Sequence, residues 1–181
     1  MPVENMPADV DGDLWVFGYG SLMWRPGFAF EERSPGTIRG YHRALCIFSH
    51  VHRGTVEKPG LVLGLDRGGA CRGVAFRVAA ARRNETLAYL REREQITSVY
   101  LEALVRVELG EGRAAKAVAY VADRKHRQYA GRLDRERLLA MVSQGIGQSG
   151  ANPEYVRNTH DHLLEMGVRD AQLQWLVERL D

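Results

Sequence analysis

The sequence predicts an α+β fold: a curved antiparallel or mixed sheet flanked by helices. Three observations carry that prediction. Short apolar runs separated by glycine-rich turns fill most of the first two thirds, one helical pattern interrupts them near the middle, and helix start and stop signals govern the last third. A doubly wound fold would instead alternate strand and helix throughout. At 181 residues, 45% of them apolar, the chain is long enough to bury one sizeable core. The expected division is a flexible tail over residues 1–13 and a single domain over residues 14–181.

Taken in order, Leu14-Trp15-Val16-Phe17 reads as a buried strand, and it leaves through Gly18-Tyr19-Gly20-Ser21-Leu22. Glycine allows positive φ and close approach of backbone N–H groups to a ligand, so this turn is a candidate cradle for a carboxylate or an oxyanion. A tight turn with structural glycines is the alternative. Arg25-Pro26-Gly27 then forces a loop. Ile38 to Ser49 reads as one strand bent at Gly40, and His50 to Gly60 as a connection. Leu61–Leu65 and Gly73–Val78 are expected to pair as a hairpin across Asp66-Arg67-Gly68-Gly69.

Asn84 is a suitable N-cap for a helix running to about Gln95. Strands are expected near Leu101–Leu109 and Ala115–Ala122, joined by Gly110-Glu111-Gly112. In the last third Asp134 caps a helix over Arg135–Val142, Asn152-Pro153 caps one from Glu154 to Met166, and Gly167 ends it. Asp170 opens a final helix through Leu180.

Several function classes drop out. A formal charge of +2 predicts no general attraction to nucleic acid or an anionic membrane. Arg124-Lys125-His126-Arg127 is short and reads as a solvated loop. Residues 1–13 lack the basic and apolar regions of a signal peptide, and no apolar run approaches spanning length. Cys46 and Cys71 sit in apolar runs and form no metal or redox spacing. The expectation is a soluble, cytoplasmic protein.

The glycine turn begins like a dinucleotide fingerprint, but the third glycine is absent and Arg25-Pro26-Gly27 stands where a helix should start. Nucleotide binding is therefore rejected. His50 with His52, alternating in a strand, would share a face, whereas His160 and His162 diverge on a helix; no third ligand is evident, so no metal is expected. No Gly-x-Ser-x-Gly elbow surrounds Ser21.

The carboxylates of Arg91-Glu92-Arg93-Glu94 are more informative. Leu87, Leu90 and Glu94 are spaced by three and four residues and share one helix face, while Glu92 lies on a flank with Ala88 and Tyr89. A glutamate that continues an apolar stripe is drawn toward the core, where desolvation raises its pKa and makes it a candidate general acid or base. A solvated helix end with surface ion pairs is the alternative.

Together these residues resemble a known family. Trp15-Val16-Phe17-Gly18-Tyr19-Gly20-Ser21-Leu22-Met23-Trp24-Arg25-Pro26 resembles the opening motif of ChaC-type γ-glutamylcyclotransferases. His52-Arg53-Gly54-Thr55 with Pro59-Gly60, Tyr89-Leu90 leading to Arg93-Glu94 and Tyr100, and Gly147-Gln148-Ser149-Gly150 with Asn152, Glu154 and Tyr155 are similar to its later motifs. The resemblance covers about residues 14–175. It implies a small β-barrel-like sheet with surrounding helices, and cleavage of glutathione to 5-oxoproline and cysteinylglycine without a metal or organic cofactor.

On that resemblance the catalytic glutamate falls on Glu94, not Glu92, and Phe17, Gly18 and Tyr19 to Leu22 hold the γ-glutamyl group. Tyr100 and Tyr129 line the pocket, and Arg53 is a candidate for the cysteinylglycine end; Tyr129 as a loop anchor and Arg53 as a surface arginine are the alternatives. The implied partner is a small γ-glutamyl substrate, with no nucleic acid and no membrane, and the oligomeric state is left open. One departure stands out. Family members usually carry glycine just before the position of Tyr100, where this chain has Thr97-Ser98-Val99. Two rival readings stay open: ring closure on other γ-glutamyl amino acids or amines, and a non-catalytic cation-transport regulator.

Overall fold

The computed structural model describes residues 12–94 and 98–181. They form β1 (Leu14–Gly18), β2 (Glu32–Ser49), β3 (Gly60–Val78), α1 (Arg83–Glu94), β4 (Tyr100–Gly110), β5 (Arg113–Ala122), α2 (Arg135–Gln144), β6 (Ile146–Gly147), β7 (Gly150–Ala151), α3 (Asn152–Glu165) and α4 (Ala171–Val177). Five strands close into a barrel in the order β1-β3-β2-β4-β5, and β6 pairs with β7 as a small hairpin. Among the described residues no helix is long and apolar enough to cross a membrane. The chain forms two compact units. One takes in the chain up to Arg43 together with Leu65–Asp123, and the other takes in Ala44–Gly64 and Arg124–Asp181.

In the first unit β1 is the strand on which the site is built. It lies antiparallel to β3, with Leu14 opposite Val78 and Gly18 opposite Val74. On its other side it runs parallel to β5, Trp15 opposite Ala117 and Val16 opposite Val118. With partners on both sides, all five of its residues are buried, as a near-continuous apolar run requires. The β4–β5 hairpin turns at Glu111, and β4 returns to β2 through Thr37 opposite Glu108 and Ile38 opposite Val107. A core of Leu14, Val16, Leu22, Val78, Leu87, Leu90, Val118 and Tyr120 joins the barrel, the turn after β1 and α1. Truncating Leu90, which is fully buried, would cost about 2–5 kcal/mol.

Several expected elements differ. The residues expected to form a hairpin, Leu61–Leu65 and Gly73–Val78, belong to one continuous strand, β3. Gly68 and Gly69 do take positive φ, 103° and 69°, but the chain bends there without reversing, and His42 Nδ1 lies 2.9 Å from Gly68 O. The neighbouring β2 also begins earlier than expected, at Glu32, and its bend residue Gly40 has φ 91°. β2 is the neighbour of β3 in the barrel, and tertiary pairing of this kind overrides a local turn preference. The second difference is Asn84, which is exposed inside α1; a 3-10 turn over Ala80–Arg82 leads into that helix instead.

The second unit packs α2, α3 and α4 with the end of β2 and the start of β3. Asp134 caps α2 through the Arg137 N–H, and Asp170 caps α4 through the Leu173 N–H. Asn152 does not cap α3 as expected. It is fully buried, its Nδ2 donates to Leu61 O and its Oδ1 accepts from Leu61 N–H, both at 2.8 Å. The side-chain amide thus pairs with Leu61 as a neighbouring strand would.

Candidate active site

The turn after β1 is set by space and by its own hydrogen bonds. A Cβ on Gly18 would sit 3.0 Å from Leu22 Cβ and 3.3 Å from the Met23 nitrogen. A side chain at this position would crowd the turn, which glycine leaves open. Gly20 has φ −136°, so the turn does not use the positive φ that glycine allows. Ser21–Met23 form a 3-10 turn, with Met23 N–H donating to Gly20 O (2.9 Å) and Arg25 N–H to Ser21 O (2.7 Å). The N–H groups of Gly20, Ser21 and Leu22 precede these bonds, as at any helical N-terminus.

Leu22 is buried in the core cluster, so it anchors the turn. Phe17 is also buried, its ring over Gly73, and Tyr19 is buried, its carbonyl accepting from Arg43 Nε at 2.6 Å. Ser21 alone in this run is exposed. Tyr100, at the start of β4 opposite Ala122, is half-buried against the same core cluster.

Helix α1 brings the glutamate. Leu87 and Leu90 enter the core cluster, and Glu94, one turn further on, has a side chain only 17% exposed. Burial pushes its carboxyl above the usual carboxylate range, opposed in part by the charge of Arg93. Glu92 is exposed. The apolar stripe thus separates two glutamates that differ by two positions.

Sequence reasoning gave no part to Arg93, whose guanidinium joins these pieces. Its Nη2 donates to Ser21 Oγ at 3.0 Å. Its Nη1 reaches Arg25 O (2.7 Å), Pro26 O (3.1 Å) and the Tyr89 hydroxyl (3.1 Å). Its Nε lies 3.5 Å from Glu94 Oε1. One planar group therefore has the turn after β1 on one side and the buried carboxyl on the other. Ser21 Oγ accepts from a cation, the opposite of the base contact that a serine nucleophile needs. The only available signal was the motif pair Arg93-Glu94, within a run that reads equally well as surface charge.

A second network was also missed. Tyr120 on β5 donates to Glu102 Oε1 on β4 at 2.8 Å, and Arg91 grips both oxygens of Glu102 at 3.2–3.3 Å. Burial and the Glu102 carboxylate push the Tyr120 hydroxyl well up, with Glu94 adding to the rise. It stays a neutral donor.

The remaining candidates lie in the second unit. Arg53 sits over the Tyr155 ring at 5.5 Å and donates to Ala151 O at 3.2 Å. Tyr129 pairs with Ile47, flanked by Phe48 N–H to Gln128 O (2.8 Å) and Ala130 N–H to Cys46 O (2.7 Å), which ties its segment to β2. His50 stacks on Phe48, and His52 Nδ1 lies 2.9 Å from Ser149 Oγ. Among the described residues no three His, Cys, Asp or Glu side chains are grouped to hold a metal ion.

Thr97 of the departure noted above lies outside the described residues. Ser98 has φ 58°, a left-handed conformation that costs a residue with a Cβ about 1–2 kcal/mol. Glycine fits that backbone and a β-branched residue does not. Ser98 already bears that cost, so Ser98→Gly is expected not to lower Tm, while Ser98→Val, whose β-branch crowds the same backbone further, should melt below wild type. Equal melting of the two variants would contradict the left-handed assignment.

A closed barrel whose first strand ends in a glycine turn beside a half-buried glutamate is the γ-glutamyl cyclotransferase type of fold. A yeast structure titled a γ-glutamyl cyclotransferase specific to glutathione matches with a TM-score of 0.80 at 23% identity, covering 92% of this chain and 94% of that one. An Escherichia coli protein named glutathione-specific gamma-glutamylcyclotransferase is 34% identical over 92% of this chain and 72% of its own length. The human glutathione-specific gamma-glutamylcyclotransferase 1 is 34% identical over 98% of this chain and 83% of its own. The family described as ChaC-like protein matches residues 14–181. This chain belongs to the ChaC-like family.

Proposed function

We propose that this protein cleaves the γ-glutamyl amide of glutathione by intramolecular cyclisation, giving 5-oxoproline and cysteinylglycine. The carrying observation is the Arg93 guanidinium, which touches both the exposed Ser21 of the glycine turn and the buried carboxyl of Glu94. In a γ-glutamyl amide the substrate's own α-amine can close a five-membered lactam on its γ-carbonyl. The nucleophile is already tethered, so no protein nucleophile is needed.

In this reading the backbone N–H groups of Gly20, Ser21 and Leu22 hold the substrate's α-carboxylate or the developing oxyanion. Gly18 and the buried Phe17, Tyr19 and Leu22 keep the turn in shape, and Tyr100 walls the pocket. Glu94 takes a proton from the α-ammonium, the amine nitrogen bonds to the γ-carbon, and a tetrahedral oxyanion forms. The same proton then passes to the departing nitrogen as its bond to the γ-carbon breaks, and the ring nitrogen gives up its second proton to the released amine, which leaves as an ammonium. A carboxyl raised by burial is better matched to that shuttle than an ordinary one. The reading also places the protein in the cytoplasm, which suits its two cysteines in 181 residues.

The test is turnover by the purified protein of glutathione against a panel of γ-glutamyl dipeptides and γ-glutamyl amines. Equimolar 5-oxoproline and cysteinylglycine, with glutathione preferred, is the expected result. Preference for another member of the panel would move the substrate within the class, and turnover of none would overturn the reading. Glu92→Gln, on the exposed flank of α1, is expected to keep wild-type activity; its loss would put the wrong glutamate in the mechanism.

A further inference from the structure

We infer that Arg93 is a positioning residue of this site, orienting the Ser21 hydroxyl toward the substrate and fixing the turn relative to Glu94. The inference rests on the cyclotransferase reading above and extends it to a residue that touches no reacting atom.

The geometry carries it in three parts. First, a guanidinium has five N–H donors and no acceptor. Ser21 Oγ, 3.0 Å from Arg93 Nη2, can therefore only accept from it. The hydroxyl's own hydrogen is left to donate elsewhere, and Ser21 is exposed. Arg93 thus makes Ser21 a donor facing outward, the polarity that a substrate carboxylate or oxyanion needs.

Second, the same guanidinium ties down the chain beyond the turn, through Arg25 O and Pro26 O. Gly27 follows with φ 77°, and a Cβ there would collide with the Tyr89 hydroxyl, itself a partner of Arg93. The loop is therefore seated directly on α1. Third, Arg93 Nε faces Glu94 Oε1 at 3.5 Å. A fixed fork that spans both halves sets their separation, which a flexible ammonium on a longer stem does not reproduce.

Arg93 also opposes the upward shift that burial gives Glu94. The other ionisable group shown to interact with Glu94 is Tyr120 on β5, which is bound to Glu102 on β4 and through it to Arg91 on α1. Among the described residues, Arg93 is the cation shown in direct reach of the carboxylate. Losing its charge should let Glu94 rise further.

Arg93→Lys keeps a cation and loses the fork; Arg93→Met loses both. Each is assayed on glutathione beside wild type, with kcat and KM separated, the pH dependence of kcat/KM recorded, and folding checked by circular dichroism and melting. Arg93→Lys is expected to lose about 10–100-fold in kcat/KM with its acid limb near that of wild type. In Arg93→Met the acid limb should move to higher pH. Combined with Ser21→Ala, Arg93→Lys should cost less than it does alone, because part of its effect runs through that hydroxyl. Wild-type kcat/KM in folded Arg93→Lys overturns the inference, and so does additivity with Ser21→Ala. If Arg93→Met does not fold, Arg93→Lys and the double variant decide. An inactive wild type would instead sink the cyclotransferase reading itself.

Discussion

Glu94→Gln is expected to release 5-oxoproline from glutathione about 10²–10⁴-fold more slowly than wild type, the usual worth of a positioned general acid–base group. The amide keeps the shape of the carboxylate but cannot take the α-ammonium proton. Substrate affinity should change far less than kcat. The same variant carries a stability signature. Burial holds the folded carboxyl of Glu94 above the ordinary glutamate range, so the folded state binds that proton more tightly than the unfolded chain does. The stability from this group is then complete below the unfolded value and lost as pH rises through the folded one. Glu94→Gln should melt above wild type at neutral pH, and the gap should close as the pH falls. An active variant that melts below wild type at every pH would remove Glu94 both as a base and as a desolvated carboxyl.

Asn152→Leu should bring the largest loss of stability. The Asn152 amide satisfies both backbone groups of Leu61, and both residues are fully buried. Leucine has similar bulk and leaves a buried N–H and a buried C=O without partners, at about 1–3 kcal/mol each. Together that is a loss of about 2–6 kcal/mol, or a Tm drop of about 4–24 °C at this chain length. Asn158→Leu, on the exposed side of the same helix, is the control and should stay within about 0.5 kcal/mol. Equal melting of the two variants would mean that the Asn152–Leu61 pairing carries no stability.

What could be read in the sequence was local. Leu14–Phe17 form a buried strand because every residue is apolar, and the Asp134 and Asp170 caps need only their own helices. The separation of Glu94 from Glu92 follows from helical spacing alone, since Leu87 and Leu90 must face the core. What could not be read depended on distant partners. Gly68 and Gly69 carry every mark of a hairpin turn, yet they lie inside one long strand, β3, whose neighbour β2 comes from elsewhere in the chain. Asn152 looks like a helix cap, but its partner is Leu61, 91 residues away. Arg93 looks like surface charge until the turn after β1 is folded onto it, 72 residues back in the chain. The polar Arg91–Glu102–Tyr120 network was hidden for the same reason: its members come from α1, β4 and β5.

In the proposed mechanism the substrate's own amine closes the ring, with Glu94 moving the proton and no protein or water nucleophile attacking the amide. Turnover of glutathione in ¹⁸O-labelled water, followed by mass spectrometry of the products, tests it most directly. Unlabelled 5-oxoproline in equal amount to cysteinylglycine is the expected result. Glutamate carrying ¹⁸O in its γ-carboxyl would contradict it, because that product requires water to have cleaved the bond.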